Sequence, residues 1–354
     1  MDPVALLCRL IETPSVSRHE EATAALLFDE MTARGLAPRR VGNNVYAVAP
    51  SYDPSRPTLL LNSHHDTVPP SAAYTRSPHA ATLEEGRLYG LGSNDAGASG
   101  VALLEAFTRV YRTPLPYNLI LALTAEEEVG GEGGMRLFLP HVLSEGYRID
   151  AAIVGEPTEM QAAVGERGLL VFDAVTTGVT GHAARGEGIN AIYRAMADIE
   201  ALRAYRFERT STLLGPITLN VTQINAGRAH NVIPDECRWV VDVRTTDAYS
   251  NPDTVELLRK AVSQHTTLTP RSTRVHASAI AATHPLVEAA VSLGAKTFVS
   301  PTTSDMSLLH DIPSLKIGPG SSSRSHSADE WVEAAAIPAA ADFYTSLLLS
   351  LKTL

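Results

Sequence analysis

The stretch Leu59-Leu60-Leu61-Asn62-Ser63-His64-His65-Asp66-Thr67-Val68 decides the fold class of the chain. Its first half is an apolar run of strand length. Its second half sets two histidines and an aspartate side by side. A buried strand accounts for the leucines but not for the cluster, because such groups are costly to bury unless paired or bound to a metal. In open α/β sheets, ligands bind at the carboxyl ends of strands. The cluster therefore raises the question of whether other strands also end in acids or histidines.

They do. The apolar run 118–124 leads into Ala125-Glu126-Glu127-Glu128-Val129-Gly130-Gly131, and the run 151–154 leads into Gly155-Glu156-Pro157-Thr158. Asp95 lies in a glycine-rich stretch ahead of a helical span over 100–111, and His326 lies in a serine-rich loop. The glycines of that stretch do not fit Walker spacing and no Gly-Lys-Ser/Thr follows, so a loop that brings Asp95 close to something is the better reading. Helices are expected over 2–11 and 20–34 and a strand over 45–49. Strands alternating with helices indicate a layered α/β sheet.

The pattern changes at Gly168. A strand over 169–177, a helix over 188–205, strands over 217–225 and 236–245, a helix over 252–265 and a short strand over 274–277 give the order β-α-β-β-α-β. That is the split arrangement of a small two-layer domain. Helix, strand and helix signals then resume at 286–293, 314–318 and 334–351. We therefore expect a larger domain from 1–167 and 278–354, with 168–277 inserted into it.

Composition narrows the class. A net charge of −10 argues against a general nucleic-acid binder, which needs a basic face. Two cysteines, Cys8 and Cys237, indicate no disulfide framework. Asp2 stands where a signal peptide would carry basic residues, and no apolar run approaches the roughly 20 residues of a membrane span. The expectation is a cytoplasmic protein with no membrane partner.

Two histidines and several carboxylates suit zinc or a similar divalent ion. Two ions sharing a carboxylate could activate a water, with one further carboxylate as general base. Each element also has an ordinary explanation. A lone histidine is usually hydrogen-bonded or exposed, a triple glutamate is usually a solvated run, and Gly-Glu-Pro-Thr is usually a turn. Joint placement at strand ends weighs against those explanations; spacing alone leaves both open.

The motifs HHDTVPP, GLGSNDAGASG, TAEEEVGG, VGEPTE, GHAARG, NVIPDE, TSDM and GPGSSSRSHSADEWV occur in this order. In that order the chain resembles the co-catalytic zinc aminoacylase and carboxypeptidase family, and most of all its acetylornithine deacetylase branch, beside succinyl-diaminopimelate desuccinylase. The resemblance runs from near residue 10 to beyond residue 330. It implies a zinc-exopeptidase-like catalytic domain, with a mixed central sheet and helices on both faces, and an inserted lid and dimerisation domain.

Carried over by position, the resemblance implies two divalent ions, zinc first and cobalt second. His64, Asp95 and Glu156 would hold one; Asp95, Glu128 and His326 would hold the other, with Asp95 bridging. Glu127 would be the general base and Asp66 would orient His64, leaving His65 as a variable spacer and Glu126 without a role. His182 would reach into the partner's site of a homodimer and stabilise the oxyanion. Asn231 and Arg244 match substrate-contacting lid positions, although a surface ion pair explains Arg244 equally well. Ser304 and Asp305 would line the substrate pocket, Asp305 taking the side-chain amine of ornithine.

The implied reaction is hydrolysis of a small Nα-acyl basic amino acid. N-acetyl-L-ornithine, in arginine biosynthesis, comes first. A succinylated ornithine, N-acetylcitrulline or succinyl-diaminopimelate comes next, and a metal-dependent di- or tripeptidase activity after that. Two departures bear on the substrate: Asp95 is followed by Ala-Gly-Ala-Ser where relatives often have Met-Lys-Gly-Gly, and Arg185-Gly186 stands where they often have proline.

Overall fold

The computed structural model describes residues 2–50 and 52–354. The chain divides into two compact units, residues 1–165 with 280–354, and residues 166–279.

The first unit is built on a mixed sheet. Thr58–His64 lies between Asn118–Thr124 and Ala151–Val154, parallel to both, and Ser314–Lys316 runs parallel to Ala151–Val154 on its other side. Asn44–Val48 and Ala162–Glu166 continue the sheet antiparallel at either end. The three central strands are buried along their whole length. Near-continuous apolar runs such as Leu59–Leu61 and Leu119–Leu123 are what a parallel sheet covered on both faces requires. Leu60, Ile120 and Ala152 pack on Phe138 and Val142 of the Met135–Ser144 helix. Alternation sends Leu59 and Leu61 to the opposite face, where the buried Ala98–Val110 helix packs.

The second unit is an antiparallel sheet in the order Thr218–Ala226, Glu236–Thr245, Gly168–Thr177, Thr266–Pro270. Leu170, Phe172, Ala174, Trp239, Val241 and Val243 alternate inward and pack with Ala191, Ala195 and Leu202 of one helix and Val255 and Leu258 of the other. Its other face carries charged pairs such as Asp173 with Arg271.

Most expected elements are present, but the ten-residue helix Met135–Ser144, interrupted by Pro140, was not expected from the sequence, and the other differences lie at ends and short edges. The expected short strand at 274–277 is replaced by Thr266–Pro270, because the helix before it stops at Ala261 and frees the alternating Thr-Thr-Leu-Thr-Pro to pair with Gly168–Thr177. Ala162–Glu166, Thr297–Ser300 and Trp331–Glu333 are strands with too little alternation to stand out. No helix among the described residues is long and apolar enough to cross a membrane.

Candidate metal centre

Register explains why distant residues meet. Asn62 pairs with both Ala122 and Val154, and Val154 pairs with Lys316, so four parallel strands end level. The residues just beyond those ends are His64 to Asp66, Glu127 and Glu128, Glu156, and the loop that leads to His326.

His64 Nε2 lies 3.3 Å from Asp95 Oδ1, 3.7 Å from Glu156 Oε1 and 4.0 Å from Glu127 Oε2. His326 Nε2 lies 2.7 Å from Glu128 Oε2 and 3.8 Å from Asp95 Oδ2. Asp95 thus turns one oxygen toward each imidazole. Donor atoms of His64, Asp95 and Glu128 cluster within 4.8 Å of one another, as do those of His64, Glu127 and Glu156. Both groupings differ from the sets implied by the resemblance: the first has His64 where His326 is implied, and the second has Glu127 where Asp95 is implied.

Asp66 does more than orient one imidazole. Its Oδ1 is 3.3 Å from His64 Nδ1 and accepts the Glu127 N–H at 3.1 Å. Its Oδ2 accepts the Glu128 N–H at 3.2 Å and the Ser17 hydroxyl at 2.7 Å. One buried carboxylate therefore fixes the strand end that carries His64 and the turn that carries both glutamates.

The electrostatics suit a cation. Burial, then repulsion from neighbouring carboxylates, pushes Glu128 up to about 7 and Glu156 up to about 8, and lifts Glu127 well above the carboxylate range. Burial would raise Asp95 too, but the hydrogen bond and charge of His64 hold it low. Burial opposes a charge on His64, and its bonds to Asp66 and Asp95 nevertheless carry its pKa well above normal. Nitrogen and oxygen donors, crowded and short of positive charge, form a set that fits divalent ions of the zinc type.

Beside this cluster opens a cavity of about 840 Å³. Asp95, Glu127, Glu128, Glu156 and His326 form one wall, and Lys296 and Lys316 face it as well. Thr302 and Thr303 line it, whereas Ser304 and Asp305 do not. Asp305 is buried and accepts the Thr124 hydroxyl at 2.9 Å, so it faces the strand ends instead of offering itself to a substrate amine.

In the second unit, Gly181–His182 pairs with Val232–Ile233, and the Ala183 N–H donates to the Asn231 carbonyl at 3.0 Å, bringing His182 and Asn231 together. His182 Nδ1 accepts the Ala184 N–H at 3.2 Å, which leaves the proton of a neutral ring on Nε2. Arg244 grips Asp242 through Nε and Nη2 at 2.9 and 3.1 Å, the ion pair that its sequence position had left open.

Four roles escaped the sequence. His65 is a buried pin, with Nδ1 3.0 Å from the Thr23 hydroxyl and Nε2 3.0 Å from the Asn43 carbonyl. Burial lowers it to about 4, so it is a neutral tie and no mere spacer. Glu126, in the left-handed region at φ 53°, caps the Gly133 N–H at 3.2 Å. A Cβ on Gly131 or Gly133 would fall about 1.9 or 2.2 Å from its carboxylate, which explains the glycines there. Lys316 is buried at the level strand ends and donates to the Thr302 carbonyl at 2.8 Å. Glu330 holds the Asp95 loop, as described below. None of the four carried a signal, because their partners are main-chain groups or a lone hydroxyl.

Peptidase family M20/M25/M40 matches residues 60–350. The chain is 33% identical over 280 residues to a succinyl-diaminopimelate desuccinylase from Cereibacter sphaeroides, covering 75% of this chain and 73% of that protein. It is also 33% identical over 280 residues to one from Paracoccus denitrificans, covering 73% and 71%. Among solved structures it is similar to a dinuclear metal-binding peptidase of the M20 family from Bacillus subtilis. That likeness has a TM-score of 0.74 at 17% identity and covers 99% of this chain and 98% of the other, so it speaks to the fold.

Proposed function

The chain belongs to peptidase family M20/M25/M40, and from that premise we propose that it is a metal-dependent amidohydrolase removing the acyl group from an Nα-acyl amino acid. The observation that carries this reading is the convergence of His64, Asp95, Glu127, Glu128, Glu156 and His326, all but the buried His64 lining a cavity that two lysines also line.

In this reading His64, Asp95, Glu128, Glu156 and His326 hold two divalent ions, zinc first. Bound there, the ions supply Lewis acidity toward the amide carbonyl. Glu127 takes a proton from the attacking water as its oxygen bonds to the carbonyl carbon, and delivers it to the amine as the carbon–nitrogen bond breaks. Asp66 keeps His64 and the Glu127 backbone in place. His182, its Nε2–H available, donates to the oxyanion. Arg244 and Asn231 contact the substrate in this reading, the guanidinium of the half-buried Arg244–Asp242 pair exchanging its partner for a substrate carboxylate.

Lys296 and Lys316 favour a ligand with a carboxylate, which every N-acyl amino acid carries. N-acetyl-L-ornithine is the first candidate. The names of the relatives favour a second, succinyl-diaminopimelate, with N-succinylornithine as a further candidate of our own. Steady-state kinetics on N-acetyl-L-ornithine, N-succinyl-L-ornithine, N-acetyl-L-citrulline, succinyl-diaminopimelate and unblocked dipeptides test the reading. At least one blocked amino acid should exceed every dipeptide by about 100-fold in kcat/KM, a margin of roughly 2.7 kcal/mol. Dipeptides turned over best would replace deacylation with a peptidase.

The same proposal includes a homodimer. Thr218–Ala226 is a nine-residue edge strand with Ile224 56% exposed, and the Ala191–Ala204 helix exposes Tyr193 and Met196. A long exposed edge strand invites pairing with a second chain. Sedimentation should show a dimer for the native chain and a monomer for Ile224→Lys. If His182 acts across the dimer, the monomer should also lose most activity while its metal content stays the same. An Ile224→Lys protein that remains dimeric would remove this interface from the proposal.

A further inference from the structure

Two sets of hydrogen bonds stitch together loops that are more than 200 residues apart in sequence. The Glu330 carboxylate, only 2% exposed, accepts three backbone N–H groups: Gly92 at 2.9 Å through Oε2, and Asn94 and Asp95 at 2.8 Å each through Oε1. The Glu330 carbonyl accepts the Gly90 N–H at 2.9 Å. In the other direction, the Asn94 side chain accepts the Ser321 N–H at 2.8 Å and donates to the Ser321 carbonyl at 3.1 Å. The neighbouring Gly320 sits at φ +85°, and a Cβ there would come within about 2.3 Å of Asn94 Oδ1, so the backbone closes on Asn94 as only glycine allows.

Asp95 lies in the first of these loops. His326 lies in the second, between Ser321 and Glu330. Neither Glu330 nor Asn94 touches the cavity chemistry through its own side chain. What they share is the pair of loops whose spacing sets how Asp95 and His326 face one another. The Ser93–Gly97 turn is buried, so its N–H groups depend on protein partners.

We propose that Glu330, assisted by Asn94, is a positioning residue: it locks the Asp95 loop to the His326 loop, so that both ligands of one ion are held in place before the ion arrives. The inference rests on the two-metal reading above. It requires the three acceptor contacts that a carboxylate supplies and a carboxamide does not. In Glu330→Gln the oxygen can keep one side of the clamp, but the new NH2 must then face an N–H on the other side, donor against donor. Asn94→Ala leaves the carboxylate clamp whole and cuts the link to Ser321.

Cobalt titration of the metal-free protein, followed calorimetrically and by the visible spectrum, tests this directly. The native chain should bind two ions. Glu330→Gln should weaken binding of the ion held by Asp95 and His326 by 10–100-fold, the range expected when the support of a ligand is lost, and of the other, which shares only Asp95, by less. Asn94→Ala should weaken the same site to a smaller degree. Thermal melting of the metal-free variants is measured alongside. Melting temperatures that fall while both cobalt affinities stay within threefold of native would overturn the inference, since Glu330 would then only stabilise the fold. If Glu330→Gln does not fold, unchanged affinities in Asn94→Ala overturn it equally. A native chain that binds no cobalt instead removes the two-metal reading itself.

Discussion

Glu127→Gln should lose about 10²- to 10⁴-fold in kcat, the range for removing a positioned proton-transfer group, and should keep two bound ions. The two parts of this result decide different things. Glu127 stands 4.0 Å from His64 Nε2, and by distance alone it groups with His64 and Glu156 as a possible ligand. By role it is the base. A glutamine is nearly the same size and retains an oxygen, but cannot take a proton. Burial lifts the Glu127 carboxyl well above its usual range, with Glu156 and Asp305 adding to the effect, so in the metal-free chain it already resists holding a charge. Bound cations would reverse that and leave a base of useful strength. The rate should therefore fall in kcat with KM little changed, because the lost interaction exists only in the transition state. If the ion count drops to one with the rate, Glu127 is a ligand and another group is the base. A variant with native turnover would remove Glu127 from the chemistry altogether.

How much of this could be foreseen depends on what kind of force placed each residue. The central strands were legible because burial on both faces writes itself as continuous apolar runs, as in Leu59–Leu61 and Leu119–Leu123. The candidate metal-centre side chains drew attention because acids and histidines at the ends of such runs have no apolar reason to be there, while their separate roles came only from the resemblance. That the same six meet follows from register, with Asn62, Ala122, Val154 and Lys316 brought level, and register is a property of pairing that no single strand shows. The supporting groups were hidden for a different reason. Glu330 and Asn94 act on backbone N–H and C=O groups more than 200 residues away, and backbone acceptors and donors leave no residue type to recognise. His65 failed in the same way: its partners are a threonine hydroxyl and a main-chain carbonyl. Asp305 shows the converse error. Its motif suggested a pocket wall, and its side chain instead turns inward to Thr124.

Asp95→Asn should have the largest effect on metal binding. Asp95 turns a separate oxygen to each imidazole, Oδ1 toward His64 at 3.3 Å and Oδ2 toward His326 at 3.8 Å. A carboxamide retains one acceptor oxygen, so it can serve one ion, while its NH2 repels the other. Stoichiometry should fall from two ions to at most one, and kcat/KM by about 10³-fold or more, equivalent to the several kcal/mol that a metal ion contributes as a Lewis acid. The fold should tolerate the change. Asp95 contributes to the repulsion that raises Glu128 and Glu156, and removing its charge relieves them even as the bond to His64 is lost. Thermal melting separates these effects. Ions that bind only the folded chain raise its stability by RT ln(1 + [L]/Kd), about 2.7 kcal/mol at 100 times Kd. The metal-free native and variant proteins should melt within a few degrees of one another. Added zinc should raise the native melting temperature markedly and the variant's far less. An Asp95→Asn protein that binds two ions and melts like the native chain in zinc would show that the two sites do not share this carboxylate.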